Sequence, residues 1–313
     1  MKVNKVFIGV IAGFTLISNV YAANKTHLTD TLGAGNNKVD ISFGVSGGSG
    51  TSSILSSGST TSYDSKMTGH SLSVDYARGI TDRLDITISA PLILNSNSTS
   101  EYVFGGSQYK TTSKTEGQGD LALGAQYLIL DKQQNQVDWI VLGLYSPSTA
   151  SSEDSTSETS INGSVTTPGK TGKPGRGYAT TGIATALAIP SSVGDVVLTA
   201  SYFSGGETTS GGVEYRAGDS KALGLYLESM ISENTTLTPF IGYYMFGSYS
   251  YGTQDYSSTS AYSLGISLTH DVSKAFSIKV DTGYMRMPET SYTDDFTYSY
   301  KSYSLMLSTL FFF

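Results

Sequence analysis

The chain ends in the stretch Tyr300-Lys-Ser-Tyr-Ser-Leu-Met-Leu-Ser-Thr-Leu-Phe-Phe-Phe313, which decides the fold. Successive side chains of a strand point to opposite faces, so Leu305, Leu307 and Phe311 share a face with Phe313, and Thr309 alone interrupts that face. On an ordinary soluble edge strand, three exposed terminal phenylalanines would promote aggregation. The stretch therefore predicts a strand whose apolar face contacts something other than water.

The same period of two recurs through the chain. Seven further segments alternate cleanly between apolar and polar residues: 39–46, 71–76, 84–90, 120–129, 223–228, 262–268 and 276–281. Four more are strand-like with a less regular period: 137–146, 178–189, 196–204 and 237–247. The last of these is apolar on both faces, and the alternation leaves open which face looks outward. Together these segments predict an all-β chain of about twelve strands.

The connections between the segments alternate in length. The short ones fall near 79–83, 131–136, 190–194, 232–234 and 271–274. The long ones are rich in Ser, Thr, Gly and Tyr and cover 47–66, 95–117, 147–176, 205–220, 248–257 and 288–296. A soluble β-sandwich has no such regularity. The pattern is typical of a transmembrane antiparallel up-and-down β-barrel, with short periplasmic turns, long extracellular loops and both termini periplasmic.

Composition supports this fold class. The 313 residues include 35 Gly and 22 Tyr but only 14% charged residues, which fits neither a helical protein nor a typical α/β enzyme. The regular alternation argues against a disordered chain. Nine tyrosines near segment ends suit interfacial girdles: Tyr63, Tyr76, Tyr102, Tyr127, Tyr145, Tyr178, Tyr202, Tyr284 and Tyr303. The chain has no cysteine, and its net charge of −7 argues against nucleic acid as a partner.

The N-terminus predicts export. Lys2 and Lys5 precede an apolar run, Val6–Ile17, that is too short to span a membrane as a helix, and Val20-Tyr21-Ala22 supplies a small-residue cleavage site. We therefore predict a cleaved signal peptide at 1–22, a short periplasmic segment at 23–36 and the barrel at 37–313. An uncleaved N-terminal anchor is the alternative. The segment 23–36 is too short for a folded hatch domain, so we do not expect a plug of that kind.

Two stretches resemble a known family. They are Tyr76-Ala-Arg-Gly-Ile-Thr-Asp-Arg-Leu-Asp-Ile-Thr-Ile-Ser-Ala-Pro91 and Gly117-Gln-Gly-Asp-Leu-Ala-Leu-Gly-Ala-Gln-Tyr127. Together they resemble the outer-membrane barrels named for the meta-pathway of phenol degradation, which are similar to fatty-acid and aromatic-hydrocarbon transporters. The chain departs from that family at Tyr145-Ser-Pro-Ser-Thr149, where the family tends to have Pro-Thr-Gly. The resemblance implies a barrel in the outer membrane of a Gram-negative cell, and only loosely a substrate class.

The terminal strand carries a second resemblance. A final aromatic residue on an alternating strand is similar to the C-terminal recognition signal of outer-membrane barrels. Phe311 and Phe313 are therefore the expected assembly signal. The partners this implies are the barrel-assembly machinery, outer-membrane lipid and lipopolysaccharide.

Charged residues on the polar face are the candidate site. In a membrane barrel this face looks into the lumen, because a charge facing lipid is costly. The candidates are Asp40, Asp75, Asp85, Asp120, Glu228, Lys279 and Asp281. They predict either a salt network around Lys279 that fills a narrow lumen or a cation-preferring, polar-lined pathway. A fatty-acid-type pathway would need apolar lumen residues, which 240–246 and Met285 could supply.

Catalytic and metal motifs are weak. His70 is the single histidine on a predicted strand, and an interfacial position explains it better than a Ser–His hydrolase does. Gly169-Lys-Thr171 lacks the glycine spacing and the preceding strand of a phosphate-binding loop, and we predict that it lies in a solvated extracellular loop. The acidic residues Glu153, Asp154, Glu158, Asp294 and Asp295 follow no calcium-loop spacing. We expect no catalytic residue, no metal and no cofactor.

Three functions follow from this reading. The first is passive uptake of small molecules, hydrophobic or aromatic ones among them, through the barrel. The second is a non-transporting surface protein whose loops mediate adhesion or binding. The third is an outer-membrane lipase-type enzyme, which would depend on His70.

Overall fold

The computed structural model describes residues 28–313 apart from 57–58, 105, 151–154, 173–176, 211–212 and 294–295. The predicted signal peptide, His27 and the acidic residues Glu153, Asp154, Asp294 and Asp295 lie outside the described residues. Within them, no helix is long and apolar enough to cross a membrane.

The described chain is almost entirely β-structure. The strands are β1 (Asn37–Ser56), β2 (Ser59–Thr81), β3 (Leu84–Phe104), β4 (Ser107–Gln118), β5 (Ala122–Leu130), β6 (Asp138–Ser146), β7 (Ser155–Ile161), β8 (Ser164–Gly172), β9 (Thr180–Ser191), β10 (Gly194–Phe203), β11 (Glu207–Ser210), β12 (Val213–Arg216), β13 (Ser220–Ser232), β14 (Thr235–Phe246), β15 (Tyr249–Tyr251), β16 (Gln254–Tyr256), β17 (Thr259–Ser273), β18 (Phe276–Thr293) and β19 (Phe296–Phe312). A one-turn helix, α1 (Lys132–Asn135), lies between β5 and β6.

Twelve of these strands close into an antiparallel barrel, which confirms the predicted fold class and strand number. The order around the ring is β1-β2-β3-β5-β6-β9-β10-β13-β14-β17-β18-β19, and β19 pairs with β1. At the closing seam the Asn37 N–H donates to the Phe313 carbonyl at 2.8 Å, and the Phe313 N–H donates back at 3.1 Å. A closed ring leaves no unpaired strand edge, which the hydrocarbon core of a membrane requires.

The two faces of the wall follow the alternation of the sequence. Leu305, Leu307 and Phe311 point outward and are exposed, as are Ile41 and Phe43 on the neighbouring strand β1. Five of the nine predicted girdle tyrosines are exposed on this outer surface: Tyr127, Tyr145, Tyr202, Tyr284 and Tyr303. An apolar outer surface is the face that lipid would cover.

Three predicted long loops are largely strand, which corrects the sequence analysis. Segments 47–66, 95–117 and 288–296 continue the barrel hairpins, and β1 and β2 stay paired as far as Ser56 and Ser59. Beyond the membrane both faces of a hairpin can be polar, so the period of two disappears although the hydrogen-bonded ladder continues. Tyr63 and Tyr102, predicted as girdle residues, contact each other in this extension, with ring centroids 4.4 Å apart and the ring planes tilted by 45°.

The remaining long loops form extra sheet at the same end of the barrel. Strand β4 pairs with the outer half of β3, and the β7–β8 hairpin pairs with β4. The described part of the longest predicted loop, 147–176, therefore extends this sheet beyond β4. A separate four-stranded sheet is made by β11, β12, β15 and β16.

Candidate channel lumen

The predicted lumen residues lie on the inward face of the barrel. Asp40, Asp85, Asp120 and Glu228 are buried, and Asp75, Lys279 and Asp281 are half-buried at inward positions. Asp40 on β1 is the direct cross-strand partner of Asp75 on β2. Two carboxylates therefore face the interior side by side.

Asp40 belongs to a row of hydrogen-bonded side chains. Ser42 Oγ donates to Asp40 Oδ1 at 2.7 Å and lies 2.7 Å from Ser308 Oγ on β19. Lys38 is also buried on this face and interacts electrostatically with Asp40, Asp75 and Asp85. The sequence analysis missed Lys38, although its position two residues before Asp40 places it on the same face of the strand.

Lys279 pairs locally. Its Nζ lies 3.2 Å from Asp281 Oδ1, two residues along the same strand. The predicted salt network thus has two cationic centres, Lys38 on β1 and Lys279 on β18, rather than Lys279 alone. Among the inward positions of the described barrel strands, these are the two basic residues.

Asp120 has a different environment from the other carboxylates. The backbone N–H groups of Thr149 and Ala150 both donate to Asp120 Oδ1 at 2.9 Å. Thr149 Oγ1 in turn accepts the Leu121 N–H at 2.7 Å. Asp120, in the connection between β4 and β5, therefore holds the beginning of the longest loop against the start of β5.

The N-terminal segment 28–36 occupies the end of the lumen at which the short turns and the C-terminus lie. The Leu28 N–H donates to Glu228 Oε1 at 2.8 Å, and the Leu32 N–H donates to Asp85 Oδ2 at 2.9 Å. Strands β13 and β3, which carry these carboxylates, are five strands apart along the shorter way round the ring. The segment therefore crosses the barrel from one side to the other.

Further contacts hold this segment in place. Gln126 Nε2 on β5 donates to the Asp30 carbonyl at 2.9 Å. Leu28 packs against a buried apolar cluster on the inward face, formed by Leu128, Ile140, Ala186, Ala188 and Val197. Residues 28–36 form no helix or strand of their own, yet they cross the lumen of the twelve-strand barrel, which the sequence pattern did not predict.

A close backbone contact completes the arrangement. A Cβ at Gly79, at the end of β2, would lie 1.8 Å from the Gly33 carbonyl oxygen. Gly33 itself has φ +79°, a left-handed conformation that glycine adopts without steric cost. Glycine at both positions lets the segment lie directly against the wall.

Another part of the lumen lining is aromatic. Outward Ile241 is exposed, so Phe240, Tyr244 and Phe246 point inward, which answers the question the sequence left open. Phe240 stacks on Tyr226 of β13 with ring centroids 5.4 Å apart. Tyr244 and Phe246 pack on a buried cluster from β17, β18 and β19: Ala261, Met285, Met287, Tyr298 and Tyr300. Met285 thus lines the lumen, as the sequence analysis considered.

The rejected motifs have ordinary environments. His70 is exposed and stacks on outward-facing Phe43 at a centroid distance of 6.4 Å. The Gly169-Lys-Thr171 stretch lies in β8 rather than in a loop. In the described part of the chain no group of His, Asp and Glu side chains could hold a metal ion.

Comparisons with known proteins bear on the fold. No protein-family model matches the sequence, and no curated protein matches it. An outer-membrane channel from Pseudomonas putida F1 superposes with a TM-score of 0.62 at 13% identity, over 91% of this chain and 98% of that chain. The translocator domain of the autotransporter NalP from Neisseria meningitidis gives 0.53 at 12% identity, over 98% and 97%. The fold is that of an outer-membrane β-barrel.

A third solved structure is more distant. The toluene transporter TodX from Pseudomonas putida gives a TM-score of 0.46 at 10% identity, over 89% of this chain and 90% of that chain. At these identities the similarities show the fold alone, and the function is inferred from the residues that line the lumen.

Proposed function

We propose that this protein is a passive outer-membrane channel for small molecules, with hydrophobic or aromatic compounds among its substrates. The observation that carries the proposal is the mixed lining of the lumen. Strands β14–β19 contribute Met, Phe and Tyr side chains to it, and the neighbouring strands β1–β3 contribute carboxylates and hydroxyls.

The wall arrangement matches the needs of such a pathway. An apolar solute moving along aromatic and methionine side chains exchanges one set of dispersion contacts for another, so no single contact holds it tightly. The similarity in fold to the outer-membrane channel from Pseudomonas putida F1 supports this role. The sequence resemblance to barrels of the phenol meta-pathway supports aromatic compounds as a substrate class.

Planar-bilayer recording of the purified full-length protein tests the channel function. We expect discrete current steps above the background of a protein-free bilayer. Liposome-swelling assays with small neutral solutes provide the second measurement. A barrel that is silent in both assays would contradict the proposal.

The same proposal includes the route to the membrane. Residues 1–22 would direct export and be removed, and Phe311 and Phe313 would present the chain to the barrel-assembly machinery. Mass spectrometry of protein from outer membranes tests the cleavage, with Ala23 expected as the first residue.

A surface-binding function remains the second candidate, because the loop strands carry many tyrosines. Shortening the loop 147–176 separates it from transport: a binding protein would lose adhesion and keep its permeability. The lipase-type function has less support, since His70 faces outward beside Phe43. His70→Ala should leave any lipase activity of the preparation unchanged.

A further inference from the structure

We propose that the preferred ligand of this lumen is an amphipathic organic cation, a molecule with an aromatic body and a positively charged nitrogen, such as an aryl-substituted quaternary ammonium ion. The proposal rests on the channel function above and adds to it the sign of the ligand's charge. Two separate features support it: a path of tyrosines that leads into the lumen, and an excess of carboxylates below that path.

The path begins in the four-stranded loop sheet. Tyr178 lies 6.1 Å from Tyr215, which lies 6.4 Å from Tyr249, measured between ring centroids. Tyr249 stacks on Tyr256 at 4.6 Å with an interplanar angle of 6°, and Tyr256 meets Phe296 edge-on at 6.4 Å. Tyr178, just before β9, contacts this sheet, and the five rings form a continuous series from there across β12, β15 and β16 to β19.

The series continues into the barrel. Tyr249, Tyr256 and Phe296 pack on the lumenal cluster that contains Met287, Tyr298 and Tyr300. On the adjacent strand β1 a Cβ at Gly48 would lie 2.3 Å from Tyr300 Oη, and one at Gly50 would lie 2.5 Å from Tyr298 Oη. These glycines leave room for both tyrosines to reach across the wall, so aromatic surface extends from the loops to the lumen.

Tyrosine attracts organic cations in two ways. The face of its ring carries a negative quadrupole that attracts an ammonium group, and its hydroxyl oxygen accepts hydrogen bonds. The attraction grows when the contact is shielded from water, as at the half-buried rings of this path. A neutral aromatic molecule would gain only the stacking contacts, and an anionic one would face the unfavourable sign of the quadrupole.

The carboxylates that line the lumen also favour a cation. Its inward carboxylates Asp40, Asp75, Asp85, Glu228 and Asp281 outnumber the inward lysines of the described strands, Lys38 and Lys279. Asp40 Oδ2, Asp75 Oδ1 and Asp281 Oδ2 are buried and accept no hydrogen bond from the residues that the structure describes. Buried carboxylate oxygens of this kind favour a positively charged ligand, because an anion would add like charge in a poorly solvated space.

Four permanently charged ions separate the two features experimentally. Benzyltrimethylammonium has a ring and a positive charge, and tetramethylammonium has the charge alone. Benzenesulfonate has a ring and a negative charge, and methanesulfonate has the charge alone. Reversal potentials of the full-length protein in planar bilayers give the permeability ratios. Equilibrium dialysis of the same ions against detergent-purified protein gives binding without passage.

We expect benzyltrimethylammonium to be favoured over benzenesulfonate by about tenfold and over tetramethylammonium by several-fold. The double variant Asp40→Asn with Asp75→Asn should reduce the preference for benzyltrimethylammonium over benzenesulfonate. It should leave the preference over tetramethylammonium unchanged. The double variant Tyr298→Leu with Tyr300→Leu should reduce the preference for benzyltrimethylammonium over tetramethylammonium. Asp64→Asn is the matched control for charge, since Asp64 lies on β2 as Asp75 does but is exposed on the other face.

The outcomes distinguish this inference from the channel function. Equal or better permeation and binding of benzenesulfonate would overturn the cation preference and leave the channel standing. Selective binding of benzyltrimethylammonium without current would support the cation site and contradict passage. Absence of both current and binding for all four ions would overturn both. The heat-dependent shift in gel mobility that folded barrels show verifies that each variant has assembled before it is measured.

Discussion

The backbone N–H of Leu28 donates a 2.8 Å hydrogen bond to the Glu228 carboxylate, two hundred residues further along the chain. This bond joins the N-terminal segment to a strand far around the ring from the one that holds Leu32. The segment therefore obstructs the end of the lumen at which the short turns lie, because two buried carboxylates on distant strands bind its backbone.

Loss of this bond should open the pathway. A hydrogen bond to a charged group contributes about 1.5–3 kcal/mol, so Glu228→Ala should raise the fraction of molecules with a displaced segment by tenfold or more. Removal of residues 28–35 should raise it further. The measurement is the mean conductance in planar bilayers. Glu233→Ala, in the exposed turn that follows β13, is the control, and an unchanged conductance in the deletion variant would mean that the segment does not limit flow.

A methyl group at Gly79 should displace the segment from the wall. The added Cβ of Gly79→Ala would overlap the Gly33 carbonyl, and overpacking of this kind costs about 1–3 kcal/mol. Because the native chain has no cysteine, Leu32→Cys provides a unique label site at a buried position of the segment. We expect a membrane-impermeant maleimide to react with it several-fold faster when Gly79→Ala is present. Gly143→Ala is the control, since a Cβ there meets no atom within 4 Å, and equal rates in both backgrounds would contradict the contact.

A charge on the outer face should destabilise the barrel. Leu264, near the middle of β17, points outward and is 57% exposed. Leu264→Arg should lower the free energy of unfolding in liposomes by about 2–4 kcal/mol, since arginine there would face hydrocarbon. Thr253→Arg, in the exposed turn between β15 and β16, should change it by less than about 0.5 kcal/mol. Similar denaturation curves for the two variants would place Leu264 outside the membrane.

The terminal phenylalanine should matter for assembly more than for stability. Phe313 is 68% exposed, so Phe313→Ala should change the free energy of unfolding of the assembled barrel by less than about 1 kcal/mol. If the residue is part of the assembly signal, the amount of barrel in the outer membrane should nevertheless fall several-fold. Tyr303→Ala is the matched control, because Tyr303 lies outward on the same strand and is 67% exposed. Parallel effects of the two changes would assign Phe313 a packing role only.

The sequence by itself determined the barrel. The period of two in segments such as 262–268 placed Leu264 and Leu268 on one face and Ser263 and Ser267 on the other, and the structure keeps that division. The alternation of short and long connections gave the twelve strands and their antiparallel order. Both are local properties, because a strand's side-chain period and a turn's length are set by neighbouring residues. The inward position of Asp40, Asp75 and Lys279 followed from the same rule.

Only the tertiary structure decided what fills the lumen. The period of two could not choose between Phe240 and Ile241, since both faces of β14 are apolar, and closure of the ring settled it. Polar hairpins such as β1–β2 lost their alternation above the membrane, so their continued pairing was invisible in the sequence. The bonds of Leu28 to Glu228 and of Leu32 to Asp85 join residues that only ring closure brings together. Contacts across a lumen depend on the register of all twelve strands, and no local pattern records them.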